Sequence, residues 1–167
     1  MSFLDLQPGT RFPTHELLDH SRNRCGLGQF AGDEALLLQF YRGWWCPMDI
    51  AFFRKLVDLQ DDAELAHARF VSVSVDPPET TAPFRMGLGA RWTFLCDPDR
   101  AWLAELDLGD GAEATCCAPT IFVLRPDLVV HRAYDGSSFW GRPTMEQLRT
   151  DFREISMADA VADGPAL

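Results

Sequence analysis

Cys46 is the residue of this chain best placed for covalent chemistry. It follows a nearly continuous apolar run at residues 35–41 (ALLLQFY), too short for a helix and apolar enough for a strand buried on both faces. Residues 43–47 break that run. Residues 48–60 then place apolar side chains at Ile50, Phe53, Leu56, Val57 and Leu59, which suits an amphipathic helix packed on the strand. A cysteine at such a junction meets unpaired backbone N–H groups and the positive end of a helix dipole, which together lower a thiol's pKa. Arg42, just upstream, can add a cation to the same place. The chemistry this predicts is nucleophilic attack by a thiolate; the competing reading is a small apolar residue filling a turn.

The elements that must position this thiol alternate along the chain. Residues 69–75 (RFVSVSV) read as a second strand, stopped by Asp76-Pro77-Pro78, and residues 79–86 open a helix. Residues 92–95 form a short strand, and Asp97-Pro98-Asp99 caps a helix over 99–106. Residues 120–124 and 128–134 flank Arg125-Pro126-Asp127 and read as a hairpin. Residues 144–155 make a last helix with Thr144 as its N-cap, and residues 156–167 are expected to be a mobile tail. Residues 1–34 read as irregular, with Pro8-Gly9, Gly26, Gly28 and Gly32 marking turns. Strands alternating with helices, closed by a hairpin, call for an α/β sandwich: a central mixed sheet with helices on both faces.

The 167 residues suit one domain, and the 47% hydrophobic and 24% charged fractions exclude general disorder. With 15 Lys and Arg against 25 Asp and Glu, the net charge of −10 speaks against nucleic acid or an anionic membrane as partner. Lys55 is the only lysine and Asn23 the only asparagine, a usage expected of a GC-rich, bacterial genome. No secretory signal and no membrane-spanning run is visible, so the expected location is the cytoplasm. Five cysteines is an odd number without the spacing of a disulfide framework, which leaves the question of which one reacts. His15, His20, His67 and His131 are dispersed, no C-x-x-C spacing occurs, and Gly26-Leu27-Gly28 lacks the pattern of a phosphate loop. Neither a metal site nor a cofactor is expected.

The string Tyr41-Arg42-Gly43-Trp44-Trp45-Cys46-Pro47 resembles the active-site turn of thioredoxin-fold proteins, and the longer F-Y-R-G-x-W-C-P pattern resembles the peroxiredoxin-like branch of the AhpC/TSA redoxins. Ala118-Pro119-Thr120 before an apolar strand is similar to the family's cis-proline segment. Phe94-Leu95-Cys96-Asp97-Pro98-Asp99 resembles the redoxin F-L-S-D-P-D turn, with cysteine for serine. Gly141-Arg142-Pro143-Thr144 with Glu146-Gln147-Leu148-Arg149 is similar to the segment that closes peroxiredoxin domains. The span from Cys46 to Pro119 is wider than a minimal thioredoxin requires and leaves room for the βα unit at 92–106. These matches cover residues 5–155 and imply a thioredoxin-like three-layer sandwich over residues 1–155.

The resemblance implies a thiol peroxidase in which Cys46 attacks a peroxide and becomes a sulfenic acid. Arg42 and Arg142 would stabilise the anion, and Trp45, Pro47, Pro119 and Thr120 would shape the pocket. Trp44 and Trp140 are candidates for the same wall. Cys117, or else Cys116, would resolve the sulfenate as a disulfide, Cys117 being the nearer to Pro119 in sequence; in an extended segment only one of the pair can face the site. Cys96 and Cys25 read as bystanders. The implied partners are a peroxide or disulfide substrate and a thiol reductant, either a thioredoxin-like protein or a low-molecular-weight thiol. Homodimers are a family-level expectation.

Three positions depart from the family pattern. Relatives with W-C-P-x-C have a second thiol where this chain has Asp49, which reads as structural. The P-x-x-x-[T/S]-x-x-C motif finds Gln39 and Gly43 at its proline and hydroxyl positions. The family's activating arginine falls where Cys117 and Ala118 stand. Two other functions therefore stay open: a thiol–disulfide oxidoreductase, and a non-catalytic redoxin fold used for binding or redox sensing.

Overall fold

The run before Cys46 forms β3 (Ala35–Phe40), six residues that are all buried, near the middle of a seven-stranded sheet in the computed structural model. The structure describes residues 5–30, 32–110, 115–136 and 141–162, with side chains through residue 158. Ahead of β3 lie β1 (Glu16–Asp19) and β2 (Arg24–Gly26). After it come α1 (Pro47–Leu65), β4 (Ala68–Ser74), α2 (Pro78–Leu88), β5 (Thr93–Cys96) and α3 (Ala101–Glu105). The chain continues through the two-residue strands β6 (Gly109–Asp110) and β7 (Cys116–Cys117), then β8 (Thr120–Leu124), β9 (Val130–Asp135) and α4 (Met145–Ala162).

The sheet order is β2-β1-β5-β4-β3-β8-β9, with β6 and β7 forming a separate ribbon. β3, β4 and β5 run parallel, whereas β8, β9, β1 and β2 join by antiparallel pairs, so the sheet is mixed. Alternation along the central strands divides the core in two. Leu36, Leu38, Phe40, Phe122 and Leu124 face Trp102 and Leu103 of α3. Leu37, Tyr41, Ile121 and Val123 face Phe52, Phe53 and Leu56 of α1 and Leu148 and Phe152 of α4. That two-sided burial is why the sequence of β3 lacks a polar face.

Two expectations need correction. Residues 1–34 are not all irregular: β1 and β2 pair antiparallel, and β1 extends the sheet by pairing with β5. Four residues in an exposed-buried alternation, followed by only three, carry too little pattern to stand out from a loop. The last helix does not stop at residue 155 but runs to Ala162; residues 163–167 lie outside the described ones. Its start is as expected. Thr144 Oγ1 accepts the Gln147 N–H at 3.1 Å and Gln147 Oε1 accepts the Thr144 N–H at 2.8 Å, a reciprocal cap.

The turn after β5 is fixed by Asp97, 2% exposed, whose carboxylate accepts the N–H groups of Ala101 at 3.0 Å and Leu103 at 2.9 Å. These satisfy donors that the start of α3 would otherwise leave unpaired. Replacing Asp97 by Ala is expected to lower stability by about 1–2 kcal/mol, read as a lower urea midpoint. Asp97→Asn, which keeps an acceptor, should recover part of that loss.

Candidate active site

β3 ends at the carboxyl edge of the sheet, and the chain turns through residues 41–46 into α1. Cys46 is the N-cap of α1, with φ −80° and ψ 113°, and Pro47 is the first helical residue, where its fixed φ fits and its missing N–H costs nothing. The Cys46 carbonyl accepts the Ile50 N–H at 3.0 Å, and its own N–H donates to Gly43 O at 3.2 Å. The side chain is 4% exposed. A sulfur in this position sits where the helix presents free N–H groups and its positive end.

Gly43 has φ +155°, and a Cβ there would lie 2.7 Å from Trp45 Nε1 and 3.2 Å from Asp76 Oδ2. The family's hydroxyl residue therefore cannot be fitted at this position without moving Trp45. Asp76 also accepts the Trp44 N–H at 2.9 Å, and burial pushes its carboxyl up against those hydrogen bonds. Trp44 and Trp45 are about half exposed. Gln39, at the motif's proline position, is buried in the sheet and accepts the Ser72 hydroxyl at 3.2 Å.

Both arginines singled out in the sequence come to this turn, and each brings a carboxylate. Arg42 Nε donates to Asp110 Oδ2 at 2.6 Å, and the guanidinium is also near enough to the Cys46 side chain to interact with it. Burial works against the Arg42 charge, yet the bonds to Asp110 and Cys46 outweigh it and raise its pKa. Arg142 Nη2 donates to Asp49 Oδ1 at 2.6 Å, with the two side chains only 9% and 1% exposed. The other Asp49 oxygen accepts the Arg42 backbone N–H at 2.9 Å. Asp49 is thus a structural carboxylate, as its place in the first turn suggested, and it also orients Arg142. Asp110 carried no signal in the sequence: it belongs to a two-residue strand with no periodicity to read.

The cysteine pair before Pro119 is divided by strand alternation. Cys117 is 1% exposed within the core beside α3, and burial pushes its thiol well up. Cys116 pairs in register with Asp110 and lies in the electrostatic surroundings of Arg42, Asp49 and Cys46. Burial and Asp110 raise its thiol, against the lowering effect of Arg42. Of the two candidates for a resolving thiol, Cys116 is thus the less buried, and the one on which Arg42 and Cys46 both act electrostatically. Cys96 is buried and its thiol is pushed up to about 11 by burial, in keeping with a bystander; Cys25 is a buried donor to Asp19.

Pairing of Phe40 with Thr120 sets Pro119 at the sheet edge that carries Arg42. The Pro119 carbonyl accepts the Gly136 N–H at 2.8 Å, and Arg142 packs against Gly136 closely enough that a Cβ there would meet its Cγ at 3.1 Å. Thr120 Oγ1 bonds back to Ala118 O at 3.1 Å. The Pro119 segment was expected to be cis, but the described residues contain no cis peptide bond. Trp140 lies outside the described residues. Away from this edge, β9 and α4 bring His131, Asp151 and Glu154 together, their ligand atoms within 4.8 Å of one another. Arg132 already donates to both carboxylates there, at 2.7 and 3.3 Å.

The sequence pattern of the AhpC/TSA family matches residues 8–133, three quarters of the chain and all of the turn just described. The chain belongs to the AhpC/TSA family. Solved structures of similar shape include the peroxidoxin BcpB of Mycobacterium tuberculosis, 19% identical with a TM-score of 0.76 over 92% of this chain and 97% of that one. AhpC of Enterococcus faecalis is 14% identical, with a TM-score of 0.79 over 97% and 99% of the two chains. A thiol peroxidase from Chromobacterium violaceum is 16% identical, with a TM-score of 0.76 over 89% and 87%. No curated protein sequence matches the chain. The fold is the thioredoxin-like peroxiredoxin fold. No helix among the described residues is long and apolar enough to cross a membrane.

The Asp49–Arg142 pair makes this AhpC/TSA turn sensitive to single substitutions. Asp49→Ala strands a guanidinium in an interior position, and a loss of about 3–5 kcal/mol is expected by chemical denaturation. Asp49→Leu combined with Arg142→Met, which removes both charges, should restore most of that stability.

Proposed function

We propose that this protein is a thiol-dependent peroxidase whose nucleophile is Cys46. The observation that carries the reading is the Arg42 guanidinium, gripped by Asp110 and set near a cysteine at a helix N-terminus. Family membership supports the reaction class. The Cys46 thiolate attacks one peroxide oxygen, the O–O bond breaks, and the departing oxygen leaves as alkoxide or hydroxide and takes a proton. The sulfur, oxidised by two electrons, becomes a sulfenic acid. Arg42 and the free N–H groups of α1 stabilise the negative charge as it passes from sulfur to the departing oxygen. Cys116 then displaces water from the sulfenic acid to give a Cys46–Cys116 disulfide, and an external thiol reductant returns both cysteines to thiols.

One observation favours a second reading, thiol–disulfide exchange. Each arginine at the site is matched by a carboxylate, Arg42 by Asp110 and Arg142 by Asp49, so little net positive charge is left to drive peroxide cleavage. Rapid reaction of Cys46 with glutathione disulfide, and slow reaction with every peroxide, would select it.

The deciding experiment is hydrogen peroxide consumption with dithiothreitol. Wild type is expected to turn over and Cys46→Ser to fall to the reagent background; equal rates would sink the peroxidase reading. Mass spectrometry after one equivalent of peroxide should find Cys46 joined to Cys116, and Cys117→Ser should leave that product intact. Because the Cys116 thiol is raised, the resolving step should quicken as pH rises above neutral and more of it ionises. Asp110→Asn separates the two steps. It frees Arg42 and should slow peroxide attack by roughly ten- to a hundredfold, while removing a carboxylate that raises Cys116 and so hastening resolution at pH 7.

A further inference from the structure

β3 and β4 run parallel and leave the sheet at the same edge, with Phe40 beside Val73 and the Tyr41 N–H bonded to Val73 O at 3.0 Å. The loop after β4 therefore lies alongside the turn that carries Cys46. From that loop the Asp76 carboxylate crosses to the turn, where its Oδ2 accepts the Trp44 N–H at 2.9 Å. Asp76 is itself held from behind. The Ser74 hydroxyl donates to the same oxygen at 3.4 Å and accepts the Asp76 N–H at 3.2 Å. The Thr81 hydroxyl, buried in α2, donates to the Asp76 carbonyl at 3.3 Å. Pro77 and Pro78 then fix the backbone on its way into α2.

The turn has little else to hold its middle. The Cys46 N–H bonds back to Gly43 O, so residues 43–46 form a β-turn with Trp44 and Trp45 at its centre. Both indoles are about half exposed, so neither pins the turn to the core. Asp49 bonds Arg42, ahead of these four residues, and belongs to the helix that follows them. Among the described residues, Asp76 is the one side chain with a hydrogen bond to the backbone of residues 43–46. Gly43 belongs to the same fit: a Cβ there would stand 3.2 Å from Asp76 Oδ2, so the missing side chain makes room for the carboxylate. No cation among the described residues pairs with Asp76, and burial pushes its carboxyl up. Its charge therefore costs the fold stability at neutral pH, a cost relieved as acid protonates it. The carboxylate opposes the fold slightly while its oxygen fixes the turn beside a nucleophile, which sets its use in the site.

We propose that Asp76 is a positioning residue for Cys46: its carboxylate oxygen, through the Trp44 N–H, holds the turn in the shape that sets the sulfur at the start of α1. The proposal rests on the peroxidase reading of Cys46. Asp76 takes no proton and forms no covalent bond in that reaction. It acts through the turn, because the bond from Cys46 N–H to Gly43 O closes only while the peptide at Trp44 keeps its orientation. Without an acceptor that peptide is free to rotate, and the sulfur leaves its line with the O–O bond it must meet. The requirement is for an oxygen at one place rather than for a negative charge.

The test compares kcat/KM for hydrogen peroxide, with dithiothreitol as reductant, in three variants. Asp76→Ala removes the acceptor and should lower it by about ten- to a hundredfold. Asp76→Asn, whose amide oxygen can take the Trp44 N–H, should keep most of the wild-type value and unfold at a urea midpoint no lower than wild type. Asp76→Glu keeps the charge but carries the oxygen one methylene too far, and should fall with Ala. Wild-type activity in Ala, or activity kept in Glu and lost in Asn, overturns the proposal. Exchange of the Trp44 amide with solvent, read by NMR, needs no turnover: it should quicken about tenfold in Ala and stay unchanged in Asn. If wild type consumes no peroxide, the peroxidase reading fails separately. The amide then decides Asp76: protection lost in Ala and kept in Asn upholds its hold on the turn, and equal exchange in all overturns it.

Discussion

The Asp49 carboxylate, shut away from solvent in the first turn of α1, bonds the Arg42 backbone N–H on one oxygen and the Arg142 guanidinium on the other. The neighbouring end of β3 and start of α1 meet on this one group with a segment distant in sequence, the one that leads into α4. A charge-assisted bond in a water-poor setting is short and directional, and losing either partner leaves the other buried and uncompensated. The turn that carries Cys46 therefore has little freedom to reorient relative to Arg42 or Arg142. Relatives with a second cysteine at this position would have a redox group there. This chain has a structural anchor instead, which leaves Cys46 without a partner inside its own turn.

The rest of the arrangement follows from a sheet covered on both sides. β3 can lead straight into a helix N-terminus because its two faces are buried against α1 and α4 on one side and α3 on the other. The same covering sorts the vicinal cysteines. In β7 one side chain must enter the core beside α3, and that is Cys117; the other, Cys116, is directed to the charged edge. Asp110 reaches Arg42 from the strand that pairs with β7. The short ribbon thus carries both the group that orients the arginine and the thiol nearest in electrostatic terms to Cys46.

Where the chain has strong periodicity, its sequence could be read correctly. The buried run of β3, the apolar stripe of α1, the hairpin of β8 and β9 and the Thr144 cap all rest on local patterns that tertiary packing did not override. The Cys46 turn was legible for the same reason, since an N-cap is a local event. What stayed hidden depends on partners far away in sequence. Asp110 acts only because the ribbon brings it to Arg42, and Cys116 is less buried than Cys117 only because of which face meets the core. The β1–β2 hairpin was missed because strands this short gain their stability from pairing with β5, which no local pattern reports. The histidines, too, are dispersed in sequence, whereas β9 and α4 bring His131 up to Asp151 and Glu154.

The charge of −10 poses a last problem, because a surplus of carboxylates opposes any thiolate. The site does not answer it with free cations. Arg42 and Arg142 are each neutralised by a carboxylate at 2.6 Å, so the pairs contribute little net potential beyond their own surroundings. An arginine that is paired through one edge still has N–H donors on the other, held in a fixed fork. In the proposed peroxidase, what Arg42 would offer Cys46 is therefore direction more than charge: a donor whose aim is set by Asp110 and whose backbone is set by Asp49. A site of this kind depends on geometry at hydrogen-bonding distance, which salt and the surrounding acidic surface screen far less than they screen a long-range field. It follows that the family's hydroxyl and arginine positions could be lost to Gly43 and Cys117 while an oriented donor persists, because the donor now comes from the strand end itself.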